Sequence, residues 1–132
     1  MGKVVRIDAQ VPAIMDIPGN LILIIYSGIA ILDFKTTESE WQHGNLTLMQ
    51  IGDYSKDKDL ASLFEGHEIT YLTGTAALNS IEANGGDSGW AVDATSVKYD
   101  RNLMKAVMDV ALAVKKGSIN RISYRVTAIV RK

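Results

Sequence analysis

A chain of 132 residues with 47% hydrophobic and 22% charged side chains is long enough to bury one core without cross-links and too apolar to stay disordered. Fourteen basic and fifteen acidic residues leave a formal net charge of -1, which removes the broad positive field that draws a polyanion to a whole surface. There is no cysteine, so disulfide frameworks, thiol nucleophiles and thiolate metal sites are excluded, and the redox compartment is left undetermined.

In chain order, Met1 to Asp8 alternates charged and apolar residues and does not read as a secretory segment. Lys3 to Val11 predicts a strand with Val5, Ile7, Ala9 and Val11 on its buried side, ended by Pro12. Pro18-Gly19-Asn20 signals a turn, and the apolar run Leu21 to Leu32 follows it. A membrane-crossing helix takes ~17–25 apolar residues. This run is shorter and is bounded by Asp16 and Asp33, so it reads as a β segment apolar on both pleat faces, with no membrane partner. Ser27-Gly28 offers a two-residue turn that would fold it into a hairpin, pairing 21–26 with 29–34.

Leu46 to Ile51 reads as a further strand, entered after His43-Gly44-Asn45. Asp57 is placed to cap a short helix over 58–65, with Leu60, Leu63 and Phe64 on one face and Gly66 as its stop. Glu68 to Thr73 and Ala76 to Ala83 read as two strands around Gly74; Asn84 to Gly89 is the strongest loop signal, and Trp90 to Tyr99 is a strand beyond it. Over Arg101 to Lys116 the spacing predicts an amphipathic helix. Leu103, Val107, Val110 and Val114 fall on one stripe, Asn102, Lys105, Asp109, Ala113 and Lys116 on another, with Asp100 as N-cap and Gly117 as C′ residue. Ile119 to Val130 returns to period two, with Ile122, Tyr124, Val126, Ala128 and Val130 facing one way. The expected architecture is therefore α+β: a mainly antiparallel sheet or small β-sandwich in a single domain over residues 1–132, covered by the 101–116 helix.

Gly86-Asp87-Ser88-Gly89 resembles the glycine-bracketed serine of chymotrypsin-like proteases. The resemblance covers four residues and implies Ser88 as nucleophile, with His43 or His67 as base and Asp53, Asp57 or Asp59 orienting it. Trp90 stands where that family has a further glycine, and the chain is short for two six-stranded barrels. A loop of Asn, Gly, Asp and Ser is also what a β-hairpin selects for positive φ and local hydrogen bonds, which makes a structural Ser88 the favoured reading.

Asp53, Asp57, Asp59 and Glu65 form an acidic cluster, but Tyr54, Lys56 and Lys58 interrupt the alternation that a calcium loop needs. His43 and His67 have no second ligand at useful spacing, so no metal or other cofactor is expected. Arg121, Arg125 and Arg131 share one face of the last strand, near Lys115, Lys116 and Lys132. Such a strip suits phosphates, although Tyr124 points the other way and no aromatic stacks between the arginines. The residues favour a non-catalytic structural or assembly subunit that self-associates, such as a component of a virion, tail or filament. A small serine hydrolase and a nucleic-acid-binding module are the alternatives.

Overall fold

The computed structural model describes residues 2–50, 67–102 and 105–132. The short helix expected over 58–65, its cap Asp57 and the acidic cluster lie outside them.

The described residues form two antiparallel sheets. The larger one is built from β1 (Lys3–Ala9), β2 (Ala13–Ile17), β3 (Leu21–Asp33), β4 (Lys35–Thr36), β6 (Glu68–Ala83) and β9 (Gly117–Arg131). The smaller one has β8 (Lys105–Lys115) between β5 (Gln42–Gln50) and β7 (Gly89–Asp100). In the larger sheet β9 lies between β3 and β6, while β1 and β2 lie end to end along the other side of β3. The core fills the space between the sheets. Ile22, Ile24, Tyr26, Ala30 and Leu32 of β3 and Ile122, Tyr124, Val126, Ala128 and Val130 of β9 supply one wall; Met108, Val110, Leu112 and Val114 of β8 supply the other.

The β-rich sandwich agrees with the sequence, and no helix is found among the described residues. Where a helix was expected over Arg101 to Lys116, Lys105–Lys115 is strand β8. As the middle strand of its sheet β8 buries both faces, Met108, Val110 and Leu112 inward and Val107 and Ala113 outward. Two apolar faces erase the period of two, and what remains imitates a helical stripe. The supposed helix caps serve turns instead. Asp100 accepts the Asn102 N–H at 2.9 Å within the β7–β8 connection. Lys116 takes the left-handed conformation (φ 43°), and Gly117 opens β9.

The expected hairpin at Ser27-Gly28 is also corrected, because β3 runs unbroken through both residues. Gly28 is selected by close packing, since a Cβ there would stand 2.5 Å from the Tyr124 hydroxyl and 2.7 Å from the Asp8 carbonyl oxygen. Likewise β6 passes through Gly74 as one strand of 16 residues, with the side chains of Val97 and Met108 against that glycine. The first strand ends at Ala9, and a bulge between Val4 and Arg6 turns Val5 outward, so that Val4, Ile7 and Ala9 pack on the core.

Candidate functional site

Three connections carry the chain between the sheets at one end of the sandwich: 37–41, the loop 84–88, and the turn at Lys116. They are tied together through the Lys116 peptide, whose N–H donates to the Glu38 carbonyl (2.9 Å) and whose carbonyl accepts the Asn84 N–H (2.8 Å). The Ser88 hydroxyl joins the same knot. It lies within hydrogen-bond reach of the Lys116 and Gly85 carbonyls, to which it donates, and accepts the Asn84 N–H at 3.2 Å. Gly85 (φ 93°) and Asp87 (φ 64°) supply the left-handed residues that the turn requires.

The tryptophans stand at this end too. The Trp90 indole N–H donates to the Glu82 carbonyl (3.2 Å). The Trp41 ring lies against Gly89, where a Cβ would be 2.6 Å from it, and the Lys115 ammonium lies 5.2 Å from the ring centroid. Beside them Lys35, Thr36, Glu82, Asn84, Gly117 and Ser118 line an open depression of about 570 Å³.

The residues expected to form a triad are thus placed as follows. Ser88 is bonded to main-chain groups within the knot. His43 lies on β5, with its Nδ1 3.4 Å from an Asp93 carboxylate oxygen on the exposed side of the smaller sheet. Asp57 lies outside the described residues. Among the described residues no group of three or more His, Asp or Glu is arranged to hold a metal.

Arg121, Arg125 and Arg131 do share the outer face of β9, as the period of two predicted. They are not equivalent. Arg131 pairs with Glu68 at 3.2 Å, whereas no carboxylate among the described residues pairs with Arg121 or Arg125. Lys132, beyond the end of the strand, pairs with Asp16.

The run Leu21 to Leu32, read from the sequence as apolar on both pleat faces, places alternate residues on the outer face of the larger sheet. Residues directly opposite in antiparallel pairs share a face, so the register defines it row by row. At the end where β3 begins, Leu21 and Leu23 are flanked by Ile17 and Met15 on one side and by Arg131 and Ile129 on the other, with Tyr71 of β6 beyond Ile129. Ile25, Ile29 and Ile31 continue the apolar row along β3. The signal for this surface was present in the sequence, as the unbroken run Leu21 to Leu32. The opposite outer face, on the smaller sheet, carries Asn45, Thr47, Ala94, Ser96, Asp109 and Ala111 around a shallow depression of about 420 Å³, where the Thr47 hydroxyl donates to Asp109 at 2.7 Å.

Comparison of the chain with protein-family models, with curated proteins and with solved structures gives no match.

Proposed function

We propose that this protein is a non-catalytic assembly subunit that acts as a homo-oligomer, of the kind from which particles, tails or filaments are built. One observation carries the reading. Strand β3 buries Ile22, Ile24, Tyr26, Ala30 and Leu32 in the sandwich, while Leu21, Leu23, Ile25, Ile29 and Ile31 lie half-buried on the outer face, flanked among the described residues by neighbouring strands. A row of Leu and Ile on a solvent-facing sheet surface carries a free-energy cost that scales with its apolar area, about 25 cal/mol per Å². Contact with another copy removes that area from water.

The bonds of Ser88 support the same reading. A nucleophile needs its proton directed at a base, and this hydroxyl is directed at backbone carbonyls, as expected of a residue that fixes a loop. Light scattering over a concentration series tests the proposal. A mass that rises to a multiple of 14.4 kDa is expected. A mass that stays at 14.4 kDa to high micromolar concentration would refute it.

A further inference from the structure

We infer that the contact is the outer face of the larger sheet, packed face to face on the same face of a second copy about a two-fold axis running along the strands between β3 and β9. This rests on the assembly reading and adds to it a surface and a symmetry.

Area is the first argument. Four strand widths at ~4.8 Å, and a length of ~40 Å for the 13 residues of β3, give a face on the order of 800 Å², which is what each partner contributes to a standard interface. The second argument is how the surface is arranged. Met15, Leu21, Leu23, Ile25, Tyr71 and Ile129 form the apolar part, with Met15 and Tyr71 49% and 51% exposed. The Arg131–Glu68 ion pair borders it. An apolar centre with a polar rim is the anatomy of a protein contact, and because those rim charges are already paired, the patch selects for an apolar partner rather than a charged one. A second copy presents the same surface.

The symmetry follows from the charges. A two-fold axis across the strands would lay the Leu21–Leu23 end on the other end of the face, where Arg6, Asp8, Arg121 and Arg125 project, and would bury charge against hydrocarbon. An axis along the strands keeps the Leu23 and Ile25 rows on the same rows of the copy and leaves charge over hydrocarbon at the two ends of the face, where Leu21 lies over Arg131 and Ile31 over Arg121. It sets Leu23 over Ile129 of the copy and Ile25 over Thr127, with the sheets ~10 Å apart as in aligned sandwiches. It also brings Asp33, at the far end of β3, over the Arg121 end of the copy's β9, which supplies an opposite charge to an arginine that pairs with no carboxylate among the described residues of its own protomer.

The absence of cysteine makes the geometry readable by cross-linking. Met15→Cys and Tyr71→Cys, which the proposed axis sets over one another across the ~10 Å gap, are made as separate chains, mixed and treated with a bismaleimide of about that span; the expected result is a mixed cross-linked pair in clear excess over either symmetric one. Met15→Lys with Tyr71→Lys, at half-exposed positions that leave the core intact, should weaken association at least ten-fold. Val11→Lys, at a 77% exposed residue between β1 and β2, should leave it unchanged. If Val11→Lys alone disrupts the oligomer, the copies meet through the β1–β2 edge; the assembly reading then survives and this inference falls. A wild-type chain that is monomeric at all concentrations removes both. Protection of Met15 and Tyr71 from labelling in such a monomer would overturn the inference in favour of cover by another part of the same chain. Co-sedimentation of a monomer with phosphatidylcholine vesicles, lost in the Met15→Lys, Tyr71→Lys variant, would also overturn the inference in favour of a lipid surface.

Discussion

Replacing Gly28 by alanine probes the packing that sets β3 against β9 and β1. A methyl group at this position would stand 2.5 Å from the Tyr124 hydroxyl oxygen, 2.7 Å from the Asp8 carbonyl oxygen and 2.9 Å from the ring carbon that bears the hydroxyl. Tyr124 is buried, with its ring 6.2 Å from that of Tyr26, so it has little room to withdraw. The Asp8 oxygen belongs to a main chain already paired with β3. Overpacking a well-filled core costs about 1–3 kcal/mol, and a clash shared between a buried ring and a backbone oxygen belongs at the top of that range. Removing a glycine from a strand interior returns about 0.5–1 kcal/mol of backbone entropy. The net expectation is a loss of about 2 kcal/mol, or a Tm lower by roughly 6–10 °C in a domain of this size. Urea unfolding at a single fixed protein concentration measures it, since association shifts the midpoint. In a Tyr124→Phe background the nearest clashing atom is gone while the Asp8 oxygen remains, so Gly28→Ala should cost about 1 kcal/mol less there. A change within about 0.5 kcal/mol of zero, or the same cost in both backgrounds, would refute the packing argument.

Strand β8 is tested by neighbouring substitutions. Val110→Asp and Leu112→Asp place a charge in the core and should each cost about 4 kcal/mol, whereas Ala111→Asp, on the outer face, should cost less than about 1. Similar losses at 111 and 112 would restore a helical face. Asp109→Ala gives up the hydrogen bond from Thr47 and should cost about 1 kcal/mol in chemical unfolding. Ser88→Ala should cost about 1–2 kcal/mol, because the Asn84 N–H and the Lys116 carbonyl lose a shared partner, and a fluorophosphonate probe should leave wild-type Ser88 unlabelled. Stoichiometric labelling at Ser88 would reinstate the nucleophile.

Strands with one face in water were legible from the sequence. Ile119 to Val130 alternates because Arg121, Arg125 and Arg131 meet solvent while Ile122, Tyr124, Val126, Ala128 and Val130 meet the other sheet, and β9 follows that pattern. Strands covered on both sides were not. Over Ala106 to Val114 the alternation carries no polarity signal, and a helical stripe could be drawn through the same letters. Glycine misled for a related reason. At Gly28 and Gly74 it reads as a turn, but in both places a side chain from another strand fills the space where a Cβ would project. Only the fold reveals such a neighbour, since Tyr124 is almost a hundred positions from Gly28 in the chain. The Gly-Asp-Ser-Gly loop was recognisable as a loop. What could not be read was its link to the Lys116 turn, made by main-chain groups that leave no trace in residue type.

Strands β3 and β8 are both apolar on two faces, yet they differ in what their outward faces carry, and that difference bears on where the proposed contact would lie. On β8 the outward residues are Val107, Asp109, Ala111 and Ala113, flanked by Asn45 and Thr47 on one side and Ala94 and Ser96 on the other. Small side chains between polar neighbours offer little apolar area, so this surface is stable against water without a partner. On β3 the outward residues are Leu21, Leu23, Ile25, Ile29 and Ile31, flanked by Met15, Ile17 and Ile129. A sandwich needs one apolar face per sheet to form its core, and here that need is met by the inward residues alone. The Leu and Ile side chains on the outside of β3 therefore add nothing to closure of the sandwich, and the proposed second copy is what would offset their cost in an isolated protomer. Among the described residues the smaller sheet bears no comparable surplus, so the composition of the two outer faces favours the larger sheet as the proposed contact.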